Sequence, residues 1–344
     1  MNWARVWAIA ARKFSSIKRD RRMFAFIVLM PAIQILLFGY AMGATPTDLN
    51  VITVGEHPIL DELADSEYLI ITSMDDVQTA RDAVDRGDAW AVIEANGSEI
   101  ILHFDASNQQ VMATIQKEVQ TAVQASTGQL PISQGEVIHG EQEPEFIDFL
   151  APGIMVLVCF MFSIILTTMA FVGERNDGTL DRLFAAGVTP IEVLSGHLAA
   201  FSVVLVGQVA VVISLAIGFF DIPMKGSIIL LFCLALLLGW ASMCLGLLIS
   251  TKADSEFKAM QLTMPLLFPV LLLSGILWPV EALPIGLSQF SQALPTTWAA
   301  EAFRSIMMRG WGLEAAVVWK SFLYVGTFGL LMLLGAARSL RIKT

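Results

Sequence analysis

The sequence predicts an α-helical polytopic membrane protein with six transmembrane helices, an inserted small α/β extracytoplasmic domain and an N-terminal interfacial helix. Three observations carry the prediction. Hydrophobic residues make up 56% of the 344 and charged ones only 15%, more apolar surface than a soluble domain of this size hides. Six uncharged apolar windows lie at 23–42, 149–172, 199–220, 226–250, 260–280 and 321–337. Each approaches the ~20 residues that cross a ~30 Å hydrocarbon core. The net charge of −10 is unevenly split: residues 45–148 hold 20 Asp and Glu against three Lys and Arg, a balance of −17 that leaves +7 for the rest.

The basic residues set the orientation. With the N-terminus inside, 14 Lys and Arg flank the spans on the cytoplasmic face against 7 outside. Both termini are then cytoplasmic in a multi-pass protein of the cytoplasmic membrane, and 45–148 is extracytoplasmic. Residues 1–22 read as an amphipathic helix on the inner face, with Trp3, Trp7, Ala10, Phe14 and Ile17 on one side and Arg5, Arg12 and Arg19 on the other. The competing reading is a basic flank that only sets topology. The first span, 23–44, exceeds the length of a signal-peptide apolar core and reads as retained. Cys159, Cys233 and Cys244 all lie in apolar spans, so no disulfide framework or metal spacing is present.

In the acidic segment, strands are expected at 50–54, 68–72, 89–93 and 99–104, rich in Val and Ile. Helices are expected at 75–86, closed by Gly87, and at 108–125. Residues 126–145 read as a polar loop back to the membrane. His57, His103 and His139 are far apart and lack neighbouring Cys, which fits surface polar groups better than a metal site. The acidity itself reads as solubilising.

The second span, 149–172, opens on a first-turn Pro152. A short polar stretch follows at 173–190, with a helix expected from Thr179 to Ala186, closed by Gly187. Thr189, Pro190 and Glu192 form a capping-box pattern that starts the third span, 191–220. Such a stretch is a short helix with two defined ends, able to move as a rigid body. The fourth span, 226–250, places Ala235, Gly239, Ser242, Gly246 and Ser250 at close intervals. That stripe serves packing within one subunit or between two, and the spacing does not separate them. Pro265 and Pro269 break the fifth span, 260–280. Residues 281–314 are too polar to cross and read as outer interfacial or re-entrant helices, with Glu301 and Arg304 at pairing distance along a helix. The sixth span, 315–338, ends in a short cytoplasmic tail, 339–344.

Several chemistries lack their residues. There is no G-x-x-x-x-G-K-[ST] phosphate loop, no G-x-S-x-G and no H-E-x-x-H, so the chain does not read as an enzyme. Spans two to five contain no acid or histidine at their centres, as ion-driven transport would need. His197 and Lys320 stand at span ends. An energy source in another polypeptide is therefore expected.

Three stretches carry a family resemblance: residues 174–183 (Glu-Arg-Asn-Asp-Gly-Thr-Leu-Asp-Arg-Leu), then Ser274, Gly275, Pro279 and Pro284, then Pro295 with Glu301 and Arg304. With the span order, they make the chain resemble the permease subunits of ABC-2 type exporters. Asn176-Asp177 departs from the family's usual pair, and His197 stands where a lysine is common. The resemblance implies a half-transporter in which two permease chains, copies or paralogues, pair above separate ATPase subunits. Any ATP and Mg would be bound by those subunits, with no cofactor in this chain. It also implies that 174–186 is the coupling helix, with Arg175, Gly178 and Thr179 among its motif residues and Glu174 and Asp181 as its polar contacts. Leu180, Leu183 and Phe184 would be the apolar knob entering the ATPase. The alternative class is a membrane sensor or scaffold whose extracytoplasmic domain binds a ligand.

Overall fold

The computed structural model describes residues 2–19, 29–36, 47–96, 99–104, 109–127, 146–277, 280 and 283–343. They belong to two compact units, one of Ala44–Val137 and the other of Met1–Gly43 with Ile138–Thr344.

The smaller unit runs β1 (Leu49–Val54), α2 (Pro58–Ala64), β2 (Leu69–Met74), α3 (Val77–Asp85), β3 (Ala91–Asn96), β4 (Glu99–Phe104) and α4 (Gln109–Thr127), with α1 (Trp3–Arg19) earlier in the chain. The sheet order is β2-β1-β3-β4, with β1 parallel to both neighbours and β4 antiparallel to β3. Alternate residues of β1 point to opposite faces. Leu49 and Val51 pack with Ile59, Leu63, Ile115 and Val119 of α2 and α4. Ile52 and Val54 pack with Ala80 and Ala83 of α3. A strand covered on both faces reads as an unbroken apolar run, which is why β1 is conspicuous in sequence. The helix α2 had no clear sequence signal; His57 caps it, with Nδ1 accepting from the Ile59 N–H at 3.3 Å. Asp76 caps α3 by accepting from the Thr79 hydroxyl and N–H at 2.7 and 2.9 Å, which holds its carboxyl below the usual range. His103 lies 3.4 Å from Glu94, while His139 falls outside the described residues. Among the described residues no group of three or more His, Cys, Asp or Glu is placed to hold a metal ion.

The larger unit begins with α1 (Trp3–Arg19). After the smaller unit come α5 (Phe146–Asn176), α6 (Thr179–Ala185), α7 (Pro190–Gly218), α8 (Ile228–Ser250) and α9 (Glu256–Thr263). A 3-10 turn, Met264–Leu266, leads to α10 (Leu267–Leu273), α11 (Ile285–Ser291), α12 (Pro295–Arg309) and α13 (Ala316–Lys343). Among the described residues, five helical stretches are long and apolar enough to cross a membrane: Ile147–Asn176, Pro190–Gly218, Ile228–Ser250, Glu256–Leu273 and Ala316–Leu340. Most of the predicted first span lies outside the described residues; its part at 29–36 is helical.

The stripe of small residues on α8 serves packing inside this chain. Ala235, Ser242 and Ser250 are fully buried or nearly so. A Cβ added at Gly246 would lie 2.8 Å from the Ile164 carbonyl oxygen, so α5 and α8 meet there backbone to backbone. The prolines of the fifth span divide it at Met264–Leu266, since Pro265 has no N–H for the helix ladder.

The apolar side of α1 divides its contacts: Val6, Ile9, Ala10 and Ile17 are buried against the chain, whereas Trp3 and Trp7 are 72% and 74% exposed. Within the stretch 281–314, one helix is covered by protein. Ten residues of α12 are buried, among them Thr296, Ala299, Phe303 and Ile306. The turn before α8 closes on this helix, with the Lys225 N–H donating to Met307 O at 2.8 Å. Alternating small and large side chains let α12 insert despite its low hydropathy.

Gly246→Ala should therefore destabilise the protein by about 1–3 kcal/mol, the usual cost of overpacking. Gly207→Ala, where an added Cβ meets nothing within 4 Å, should be neutral or mildly stabilising. Melting temperatures of both variants in detergent check the contrast.

Candidate functional site

The site is the frame around α6. The second-span helix α5 does not stop at Val172 but continues to Asn176, so Glu174 and Arg175 belong to its last turn. Two residues, Asp177 and Gly178, then reverse the chain, and Gly178 sits in the left-handed region at φ 66°. The helix α6 closes at its far end with Gly187 at φ 75°. There the Gly187 N–H donates to Phe184 O at 2.9 Å and the Val188 N–H to Leu183 O at 3.1 Å. This paired C-terminal closure needs a glycine. Thr189 and Pro190 then start α7, and the Glu192 carboxylate accepts from the Thr189 N–H at 3.0 Å.

Two carboxylates tie this frame to α1. Glu174, with its side chain 11% exposed, takes Lys13 Nζ at 2.7 Å on one oxygen. Its other oxygen takes Arg12 at 3.1 Å and His197 Nε2 at 2.8 Å. His197 is fully buried, and its Nδ1 donates to Val193 O at 2.8 Å while the ring meets Phe171 edge-on. Lys13 Nζ stands 5.7 Å above the Phe201 ring. One carboxylate thus gathers three basic groups from α1 and α7 at the end of α5. Glu192 repeats the arrangement one turn into α7, accepting from the Asn2 N–H with Arg5 at 3.8 Å. Arg5 also donates to Gly187 O. Between the two carboxylates, a Cβ at Gly196 would fall 2.7 Å from Ile9 Cβ, so α1 rides directly on α7.

Arg175 is turned inward as well. Its guanidinium donates to Ser250 O at 2.6 Å and Ala253 O at 2.7 Å, closing the carbonyl end of α8. On α6, Leu180 is 2% exposed, and Leu183 and Phe184 are half-buried against the same core. Asp181 and Arg182 are exposed, and Thr179 is half-buried. Of the expected contact set, Glu174, Arg175 and Leu180 turn inward and hold the frame together, while Asp181 faces outward. A motif specifies residue types, and only the helix phase decides which way each points.

The later motif residues come together at a second place. The Ser274 and Thr296 hydroxyls, both fully buried, lie 2.5 Å apart. Gly275 turns the chain at φ 70°, and a Cβ at Gly153 would sit 2.9 Å from Ile276 Cα. Arg304 donates to Gly275 O at 2.9 Å and stacks 4.1 Å from the Phe149 ring. Glu301, three residues before it on the same helix, is exposed. Pro295 opens α12 and Pro284 precedes α11, while Pro279 lies outside the described residues.

Sequence reasoning missed Lys13, Arg12 and Glu192 as members of the α6 frame. Their only signal was a basic α1 and a capping-box glutamate, neither of which names a distant partner. Glu174→Gln should cost about 3–5 kcal/mol, because it leaves a buried lysine without its counter-charge. Lys13→Met should restore part of that loss in the double variant, a coupling that a four-way denaturation cycle measures.

The comparisons with known proteins agree with this architecture. The family described as ABC-2 family transporter protein matches residues 21–338. The chain is 31% identical to ABC transporter G family member 20 of Dictyostelium discoideum over 98% of its own length, covering 50% of that protein. It is 27% identical to ABC transporter G family member 23 of the same organism, over 94% of this chain and 51% of the relative. The chain thus spans about half the length of these two relatives. The probable multidrug ABC transporter permease YbhR of Escherichia coli is 22% identical, over 92% of this chain and 93% of that protein. With a family match across most of its length and, among the described residues, five helical stretches apolar enough to cross a membrane, this multi-pass membrane chain belongs to the ABC-2 family of transporter proteins.

Proposed function

We propose that the chain is the permease subunit of an ATP-driven exporter, pairing with a second copy or a paralogue to form the translocation path. Separate ATPase subunits, which bind ATP and Mg, dock on the cytoplasmic side against α6. Both termini lie on that side, and residues 45–148 lie across the membrane from it. The supporting observation is the frame of α6. It is a seven-residue helix closed by glycines at both ends, and the helices on either side of it, α5 and α7, are tied to α1 by the carboxylates of Glu174 and Glu192. A displacement of α6 is passed to those helices, because no flexible linker absorbs it. The outward groups available to an ATPase are Asp181 and Arg182, with the exposed edges of Leu183 and Phe184.

The sensor or scaffold reading draws on the smaller unit, which has hydrophobic cores on both faces of its sheet. Vesicle transport separates the two: a permease stops when ATP hydrolysis is disabled, and a sensor does not depend on turnover.

Asp181→Arg and Phe184→Ala should each weaken co-purification of the cognate ATPase by about tenfold, as loss of an interface anchor does. Melting of the permease should change little for Asp181→Arg, an exposed position. Unaltered association and ATPase activity in both variants would reject the docking assignment.

A further inference from the structure

The four-stranded sheet of the smaller unit ends in β4 on one side and β2 on the other, and the two edges are built differently. On β4, His103 is met by Arg81 of α3 at 2.9 Å and by Glu94 at 3.4 Å. Charged side chains beside an edge discourage a further strand. The other edge, β2, reads Leu-Ile-Ile-Thr-Ser-Met, with no charge and no proline. Its register runs unbroken from Leu69 opposite Leu49 to Met74 opposite Val54, so no bulge twists it away.

One bond tells which way the β2 backbone points. Tyr68 O accepts from the Leu49 N–H at 3.0 Å. Successive residues of a strand turn their N–H and C=O groups to opposite sides. Ile70 and Thr72 therefore bond toward β1, while Leu69, Ile71 and Ser73 present theirs at the edge. Among the described residues these outward groups have no backbone partner. Beside them Ile70 is 46% exposed, and Thr72 and Ser73 are exposed. Such an edge is a template for an added strand.

Charge selects what can be added. Asp65 and Glu67 precede β2, Asp75 and Asp76 follow it, and all four are exposed. Among the described residues the ion pairs of this unit are Arg86 with Asp88 and His103 with Glu94, and neither involves these four. A second copy pairing antiparallel through the same strand would set the acids after one β2 against those before the other, like charge against like. A strand with basic ends meets opposite charge at both.

We propose that the free edge of β2 binds an extended segment of a partner polypeptide as a fifth strand, with an uncharged β-branched centre of about six residues and Lys or Arg at both ends. The main chain of Leu69, Ile71 and Ser73 holds its backbone, Ile70 and Thr72 flank its side chains, and the acids on either side of β2 hold its ends. The surface goes beyond the permease reading and does not depend on it, since strand addition needs neither the ATPase nor transport.

The test uses the full purified chain in nanodiscs of zwitterionic phosphatidylcholine, with labelled peptides read by fluorescence polarisation. The probe alternates Val and Thr through its centre and has Lys-Arg at each end. One control has Glu-Glu at each end, and the other keeps Lys-Arg but has every central amide N-methylated. The probe should bind at least about tenfold more tightly than the Glu-ended peptide at low salt, a gap that narrows as salt screens it. The N-methylated peptide should not bind, because it has no donors for the edge. Ser73→Pro removes one outward N–H and leaves the bonds to β1 whole, and should weaken the probe about five- to tenfold. Glu67→Gln/Asp75→Asn should weaken it about threefold at low salt without lowering the melting temperature. If Ser73→Pro melts below the wild type, the N-methylated peptide on the wild type still decides whether backbone pairing holds the probe. The proposal is overturned if the probe shows no saturable binding, or if either control binds as tightly as the probe. A disulfide between two Thr72→Cys chains that the probe does not prevent also rejects it, assigning the edge to a second copy. Failure here leaves ATPase co-purification untouched, and failure of ATPase docking leaves probe binding untouched.

Discussion

The structure around α6 depends on one carboxylate. Glu174 lies at the end of the longest helix and gathers Lys13, Arg12 and His197 from two other helices. An isolated buried charge is far more costly than a buried pair, so each of these groups is tolerable only because the others are present. The consequence is mutual dependence: α1 cannot leave α5 without parting Lys13 from its acid, and α5 cannot rotate without parting Glu174 from His197 of α7. Glu192 adds a second tie between the same elements, made mostly of backbone N–H donors.

Apolar packing supplies the mass of the fold and the carboxylates supply its register. The contacts of α8 with α5 and of α1 with α7 are close because glycines stand at Gly246 and Gly196. In a bilayer, where apolar burial gives no preference between lipid and protein, such close fits and internal hydrogen bonds decide which helices associate. Arg175 then fixes the end of α8 to the end of α5 through two carbonyls. The frame of α6 is thus continuous with the centre of the helix bundle.

Much of this was legible in the sequence, for reasons that differ by element. The apolar windows, the glycines that bound α6 and the Val- and Ile-rich strands are local signals, and local signals survive without coordinates. Side-chain direction is not local. Glu174 and Leu180 belong to a recognisable motif, but α5 runs on to Asn176 and its phase turns them inward. The insertion of α12 was hidden because its buried face is built of Thr, Ala and Ser. Composition reads those as polar or neutral, although their hydroxyls are spent on one another, as at Ser274 and Thr296.

The shortness of α6 has a further consequence. Seven residues make about two turns, below the length at which a helix holds itself together in water. Its order is therefore borrowed from the core on which Leu180, Leu183 and Phe184 pack and from the flanking helices that Glu174 and Glu192 hold in place. A loss of either tie would be felt as the unwinding of α6 before any large movement of the spans. The segment reports the state of the whole frame, and a docking surface built on it exists only while that frame is intact.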